Sequence, residues 1–311
     1  MRADVERRWV GWLDSGTWRR FARSEAGRRL LRSGAFRRMD LARRRTVSSI
    51  RAARDADLFA SVRTCCLFLG ATKSGGTLIG AMLDAHPRAV IADEADPLRY
   101  LEHGFRRDQI FHLLAKTAHR ETLKGRVTAR RLEPYALAIP GQHQGTADRP
   151  IVVGDSRAGP TTRRLGEDLE LVTHWQALLG DVEDRYIHVV RNPFDPIAAM
   201  VRRGRRTFAN AIEDYAAQCA RVGRLRERLT EARVLTVRYD DLIADSSEQL
   251  RSICSFVGLV ASADYLADCA NLIDPSRVPE RHTVAWPPDA IAAVESLTDS
   301  VPFLQGYAYA D

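Results

Sequence analysis

The hydrophobic pattern of the chain changes near residue 60. Before that point, tryptophan, leucine and phenylalanine recur at roughly helical spacing among arginines, which predicts amphipathic helices. From residue 64 onward, short apolar runs alternate with helical stretches, and such runs are typical of buried parallel strands. The predicted strands are residues 64–69, 89–92, 151–153, 186–190 and 234–237. The predicted helices are residues 77–85, 108–116, 161–179, 196–203, 209–229 and 247–257.

This alternation predicts the fold class and the domain boundaries. Strands separated by crossover helices indicate an α/β fold, with a doubly wound parallel sheet of about five strands flanked by helices. We expect one domain over residues 61–311, preceded by a helical arm over residues 1–60. Residues 118–150 are polar and only weakly periodic, which predicts an insertion or lid close to a site.

The charge of the chain is concentrated in the predicted arm. The formal net charge is +7, yet residues 1–63 alone contain 17 arginines, no lysine and seven acidic residues. We expect the arm either to pack as a helical layer on the domain or a second copy, or to contact an anionic membrane surface peripherally. A nucleic-acid partner is not expected, because no recognised nucleic-acid motif accompanies the charge.

Cysteine spacing and hydropathy bear on metal binding and location. The five cysteines form no CxxC pair, and neither they nor the histidines have metal-ligand spacing, so we expect reduced thiols and no metal. No apolar run has the length of a transmembrane helix, and the first residues lack the apolar segment of a secretory signal. We therefore expect a cytoplasmic protein, located at the inner membrane surface if the arm binds lipid.

A glycine-rich loop follows the first predicted strand and is the strongest sign of chemistry. The strand runs into Gly70, and a helix is expected to begin at about Thr77. A strand, a glycine loop and a helix N-terminus together form an anion site, because backbone N–H groups and the helix dipole face the loop. Gly75 and Gly76 would let the backbone approach a phosphate, and Ser74 and Thr77 offer hydroxyl donors.

The loop departs from the P-loop of nucleoside triphosphate enzymes, G-x-x-x-x-G-K-[ST]. Gly76 stands where that motif has its lysine, and the lysine comes three residues earlier, as Lys73. Only three of the 47 basic residues are lysines, which makes this position notable. The pattern suits a donor with one 5′-phosphate better than a triphosphate, and a P-loop kinase acting on a small molecule remains the first alternative.

The run from Lys73 to Thr77 resembles the [KR]-S-G-T-T loop of the sulfotransferases that use 3′-phosphoadenosine 5′-phosphosulfate (PAPS). Residues 81–87, AMLDAHP, are similar to the same stretch of bacterial and tyrosylprotein-type members. The resemblance implies a P-loop-like fold and places Glu94 where that group carries its catalytic glutamate. Glu94 also follows the second predicted strand, at the carboxyl edge of the sheet.

A second run, residues 191–195, resembles the R-[ND]-P-x-D element of the same family. The resemblance implies that Arg191 binds the 3′-phosphate of the donor, and a guanidinium offers a phosphate two parallel donors. The sequence also predicts that Asp195 caps a helix whose first residue is Pro196. One departure is Ala199, where the family usually has a serine that also contacts the 3′-phosphate.

Weaker similarities extend the resemblance over residues 65–309. Residues 154–157, GDSR, resemble a strand end of bacterial members, which implies that Arg157 reaches the sulfonate or the acceptor. Arg277 and Arg281 stand where members place a C-terminal loop over the nucleotide. Residues 237–242 are similar to the late strand of the family, but we favour plain packing as the explanation of this run.

The resemblance implies transfer of a sulfonate group from PAPS to an acceptor hydroxyl. Glu94 would act as the general base and Lys73 would stabilise the departing nucleotide, with Ser74 to Thr77 around its 5′-phosphate. Asp93 and His143 are further candidates for contact with the acceptor, which could be a glycan, a lipid or a natural product. The second alternative is a non-catalytic protein that uses this scaffold to bind a membrane or a partner. Ala199 gives this alternative some weight, because the serine that usually contacts the 3′-phosphate is absent.

Overall fold

The computed structural model describes residues 24–25, 29, 33–54, 56–127, 136–202, 204, 206–274 and 278–310. The chain divides into two compact units, residues 1–51 and 52–311. Helix α1 (Gly34–Arg54) is the main described element of the first unit, and its Asp40 carboxylate accepts hydrogen bonds from Arg43 and Arg44. Residues 34–54 of the predicted arm are therefore helical, whereas the tryptophans of residues 1–23 lie outside the described residues.

The second unit is built on one parallel sheet. Its strand order is β2-β3-β1-β4-β5, so β1 lies in the middle and the chain crosses over it between β3 and β4. Thr64 in β1 is paired with Val152 in β3 and with Glu183 in β4. This confirms the predicted doubly wound α/β fold. The strands are β1 (Thr64–Leu69), β2 (Ala89–Ala92), β3 (Val152–Asp155), β4 (Glu183–Val190) and β5 (Val234–Arg238).

Helices flank the sheet, and no described helix has the length and apolar character needed to cross a membrane. The α-helices are α2 (Gly76–Asp84), α3 (Pro97–Glu102), α4 (Arg107–Leu123), α5 (Ala158–Glu167), α6 (Glu170–Leu179), α7 (Phe194–Arg202), α8 (Phe208–Arg228), α9 (Tyr239–Ala244), α10 (Ser246–Phe256), α11 (Ala263–Ala270) and α12 (Pro288–Ser300). Short 3₁₀ helices cover Ala56–Phe59, Glu231–Arg233, Glu280–Thr283 and Pro302–Leu304.

The core explains why the strands could be recognised from their apolar runs. All six residues of β1 are buried, and α2 packs almost every one of its side chains inside. The five cysteines are free and buried, and burial raises the pKa of Cys66 to about 12. The central strand is therefore fixed on both faces, and its carboxyl end is a rigid base for the loop that follows.

Two predictions about helix boundaries are wrong. Residues 161–179 form two helices, α5 and α6, because Asp168 is extended and its carboxylate accepts the N–H of Glu170 at the start of the second helix. Helix α7 begins at Phe194, so Asp195 lies in its first turn and is not the capping residue. The side-chain oxygen of Asn192 accepts the N–H of Phe194 instead, at 3.1 Å.

The described parts of the predicted lid are anchored to the domain. Helix α4 extends the regular structure to Leu123, and Arg126 forms a buried ion pair with Asp84 at the end of α2. Gly145 donates its N–H to the same carboxylate. Burial raises the pKa of Asp84 to about 6. Gln144 donates to the carbonyl of Ala81 at 3.0 Å. The segment is therefore an insertion held by buried polar groups on both sides of residues 128–135.

Candidate active site

A cavity of about 550 Å³ opens at the carboxyl edge of the sheet. This is where doubly wound sheets bind ligands, at the point where the strand order reverses beside β1. The structure does not bring His143 there, because its side chain lies against a separate surface depression with Pro87 and Arg88. Arg277 lies outside the described residues. The predicted site residues that do line the cavity are Lys73, Ser74, Gly75, Gly76, Thr77, Asp93, Glu94, Arg157, Arg191 and Arg281.

The glycines of the loop are required by close packing. Gly70 has φ +127°, and a Cβ there would lie 2.4 Å from the carbonyl oxygen of Val189. Gly75 has φ +108°, and a Cβ there would lie 2.3 Å from the ring of Tyr239. Both positions combine a positive φ with a close neighbour, which is strand backbone at Gly70 and an aromatic ring at Gly75, so a side chain is strongly disfavoured. The loop is thereby fixed between β4 and α9.

The N-terminus of α2 faces this cavity without an internal cap. The residue before the helix is Gly75, which has no side chain to accept a hydrogen bond. Within the described part of the chain, no acceptor is paired with the N–H groups of Gly76 and Thr77. Unpaired N–H groups and the helix dipole attract an anion, and the hydroxyls of Ser74 and Thr77 lie at the same wall.

Lys73 adds a charge and an unusual backbone to the loop. Its φ is +81°, a left-handed conformation that costs a residue other than glycine about 1–3 kcal/mol. Its carbonyl oxygen accepts a hydrogen bond from Arg191 at 3.5 Å, and its half-buried side chain lines the cavity. Such strained residues persist only where the surroundings determine them, which is common in binding sites.

Two arginines share one buried carboxylate on the opposite wall. Arg191 directly follows β4, and its Nε donates to Asp195 at 3.0 Å while its guanidinium lies 4.8 Å from the ring centre of Tyr239. Arg281 donates its backbone N–H and a guanidinium nitrogen to Asp195 at 2.9 and 3.0 Å. Two cations on one carboxylate leave a positive charge at this wall, beside the methyl group of Ala199.

The carboxylates on the other side of the cavity follow β2. Glu94 is exposed, lines the cavity and has φ +63°. Asp93 accepts a hydrogen bond from Ser156 at 3.1 Å, and burial raises its pKa. Of the two, Glu94 is better exposed to an entering molecule. The cavity therefore combines a helix end with unpaired N–H groups, four basic side chains and a solvent-facing carboxylate.

Comparison with known proteins agrees with this geometry. Residues 183–263, which contain β4 and Arg191, match the family model described as the sulfotransferase family. The sulfotransferase domain of the Synechococcus PCC 7002 olefin synthase has the same fold, with a TM-score of 0.51 and 19% identity over 77% of this chain and 94% of that one. The resemblance to the sulfotransferase family is confirmed.

Other sulfotransferase structures are less similar. The sulfotransferase domain from the curacin biosynthetic pathway has a TM-score of 0.48 and 14% identity over 77% of this chain and 97% of that one. Sulfotransferase STF9 from Mycobacterium avium has a TM-score of 0.46 and 14% identity over 84% of this chain and 81% of that one. No curated protein sequence matches the chain.

Two residues of this candidate site were not singled out from the sequence. The Tyr239 ring covers Gly75 and lies beside Arg191, although its run was explained by packing. Asp155, at the end of β3, is fully buried, and burial raises its pKa to about 7. The sequence does show an aspartate at the end of a predicted strand. Its position next to the loop of Glu94 becomes apparent only when the strand order is known.

Proposed function

We propose that the chain transfers a sulfonate group from PAPS to the hydroxyl of an acceptor molecule. One observation carries the proposal: a single cavity combines the open N-terminus of α2, Lys73, the arginine pair on Asp195 and the exposed carboxylate of Glu94. An anion with two separated phosphate groups matches these two basic walls. The described residues contain no cluster suited to a metal ion, and the proposal assigns none.

The residues present fit the donor. The unpaired N–H groups of α2 and the hydroxyls of Ser74 and Thr77 would hold the 5′-phosphate. The arginine pair on Asp195 would hold the 3′-phosphate. When bound, PAPS supplies the sulfonate group that is transferred.

The chain itself supplies proton transfer and charge stabilisation. Glu94 takes the proton of the acceptor hydroxyl through a carboxylate oxygen, which makes that oxygen a better nucleophile. Lys73 Nζ stabilises the negative charge that builds on the phosphate oxygen of the departing nucleotide. Arg157 and Asp93 lie at the same end of the cavity as Glu94 and would orient the acceptor or the sulfonate.

The direct test is incubation of the chain with isotopically labelled PAPS and extracts or panels of glycans, lipids and aromatic alcohols. We expect label in an acceptor that contains a free hydroxyl, and mass spectrometry then identifies the product. A reaction that runs equally well without the protein, or label that never leaves the nucleotide, would remove the proposal.

The arm and the location are secondary parts of the proposal. We propose a cytoplasmic site of action, since five buried free thiols suit a reducing compartment. The arginine-rich arm would contact either a second copy of the chain or an anionic membrane surface. Neither role of the arm is needed for the chemistry proposed above.

Nucleotide preference separates a sulfotransferase from a kinase. We expect 3′-phosphoadenosine 5′-phosphate (PAP) to raise the melting temperature by several degrees at concentrations well above its dissociation constant. We expect no such shift with ATP and magnesium, because Gly76 replaces the lysine of triphosphate sites. Differential scanning fluorimetry with 5′-AMP as the control checks the contribution of the 3′-phosphate. A larger shift with ATP would favour the kinase, and no shift with any nucleotide would favour the non-catalytic alternative.

Removal of Arg191 should weaken donor binding. Hydrogen bonds to charged groups contribute about 1.5–3 kcal/mol, so Arg191→Ala is expected to raise the dissociation constant of PAP roughly 10- to 100-fold. Isothermal titration calorimetry measures the change, with exposed Arg251 as the matched control in Arg251→Ala. Ala199→Ser should act in the opposite direction, by returning a hydroxyl to this wall. Equal affinity of PAP for wild type and Arg191→Ala would contradict the assignment.

A further inference from the structure

The end of β3 is bonded to the loop that carries Glu94. Asp155, the last residue of the strand, has no exposed surface. One of its carboxylate oxygens accepts the N–H of Ala95 at 3.0 Å, and the other accepts the N–H of Asp96 at 2.9 Å. These are the two residues that directly follow Glu94. A single carboxylate thus binds two consecutive backbone groups next to the proposed base.

The next two residues of the chain hold the same loop from both sides. Ser156 donates its backbone N–H to the carbonyl of Ala92 at 2.9 Å and its hydroxyl to Asp93 at 3.1 Å. Arg157 donates to the carboxylate of Asp96 at 3.3 Å. We call residues 155–157 the strand-end clamp. Each of its three members binds a residue that is one or two positions from Glu94 in the chain.

The held loop has a backbone that would not form without such contacts. Glu94 has φ +63° and Asp96 has φ +59°, and neither residue is glycine. Each left-handed residue of this kind costs about 1–3 kcal/mol. Helix α3 begins directly after the loop, at Pro97, and fixes its far end. The strain is therefore compensated locally, by the hydrogen bonds of the clamp.

We propose that the strand-end clamp fixes the side chain of Glu94 toward the cavity, and that Asp155 is a positioning residue for the base. The role of Glu94 as base rests on the proposed function, whereas the hold of the clamp on the loop does not. Asp155 acts through backbone groups and touches no reacting atom. Small displacements of a catalytic group reduce the rate strongly, so a loosened loop should lower turnover without weakening donor binding.

The first test measures the hold without any activity. In Asp155→Asn, the amide NH₂ faces one of the two backbone N–H groups, so one hydrogen bond is lost. We expect the amides of Ala95 and Asp96 to exchange hydrogen at least tenfold faster, measured by exchange with mass spectrometry at residue resolution. The matched control is Asp184→Asn, a buried carboxylate near the amino end of β4 that accepts from Gln176. Unchanged exchange at Ala95 and Asp96 would overturn the clamp.

The second test measures the consequence for turnover. We expect Asp155→Asn to lower kcat at least tenfold while the dissociation constant of PAP stays the same. In the Glu94→Gln background, Asp155→Asn should lower kcat little further, because no general base is left at position 94 to be displaced. If Asp155→Asn lowered kcat in that background by the same factor as in the wild type, the positioning role would be overturned.

The two tests also separate failure of the clamp from failure of the function. If the wild-type chain transfers no sulfonate, the proposed function fails, and the exchange experiment still decides whether the clamp holds the loop. If Asp155→Asn does not fold, Ser156→Ala removes the bond to Asp93 alone and should speed exchange across residues 93–96. Normal exchange there in a folded Ser156→Ala variant would overturn the clamp as well.

Discussion

Glu94→Gln is expected to lower kcat by about 10²- to 10⁴-fold, the usual range for loss of a general base. Glutamine keeps the size of the side chain and cannot take the proton of the acceptor hydroxyl. Because Glu94 follows β2, whereas Arg191 follows β4 on the other side of β1, PAP binding should be unchanged. Steady-state kinetics with PAPS, together with calorimetry of PAP binding, checks both parts of this expectation.

The matched control is Glu183→Gln. Glu183 is also an exposed glutamate, but it begins β4 at the opposite edge of the sheet and forms a surface ion pair with Arg185. Its replacement should leave kcat within about twofold of wild type, because such pairs contribute little. If Glu94→Gln turned over normally, Glu94 would not be the base, and Asp93 would become the candidate to test next.

The strands and the glycine loop could be predicted because their signals are local. A fully buried parallel strand must be apolar along its whole length, as β1 is, and this distinguishes it from amphipathic helices. Gly70 and Gly75 in the loop before α2 have φ values of +127° and +108°, which glycine adopts far more readily than other residues in any protein. The doubly wound fold class, without the order of its strands, then follows from short strands and crossover helices.

Helix boundaries were less predictable, because they depend on polar side chains that can either cap a helix locally or bond to another part of the chain. Asp195 before Pro196 has the local features of a cap, yet its carboxylate binds Arg281, which is 86 residues away in the chain. Asn192 takes over the capping role for α7. Asp168 could have continued a helix, but its carboxylate accepts the N–H of Glu170 at the start of the next one. In each case a tertiary or neighbouring contact outweighed the local preference.

The lining of the cavity could be predicted in part, but the contacts between its residues could not. Lys73, Glu94 and Arg191 each stand at the end of a strand or loop, and parallel strands bring such ends to one edge. The sequence could not show that the ring of Tyr239 fills the space beside Gly75. Nor could it show which strand lies next to β2, on which the contact of Asp155 with the loop depends.

Lys73→Met is expected to lower kcat by about 10²- to 10³-fold, as removal of a donor that stabilises charge in the transition state does elsewhere. Methionine retains much of the length of the side chain and removes its charge. The backbone of this residue, with φ +81°, is strained in both variants, so the comparison isolates the ammonium group. Rapid-mixing or steady-state kinetics at saturating PAPS measures the change in kcat.

Lys73→Arg and Lys124→Met complete this experiment. Arginine keeps a positive charge with a different shape, so Lys73→Arg should recover part of the lost turnover if charge is what matters. Lys124, one of the three lysines, is exposed and pairs with Glu121 at the end of α4, and Lys124→Met should turn over normally. If Lys73→Met kept full kcat and bound PAP more weakly, Lys73 would contribute to donor binding alone. The charge on the departing nucleotide would then have to be stabilised by the helix end and the arginine pair, and Arg191→Ala would be expected to lower kcat as well as affinity.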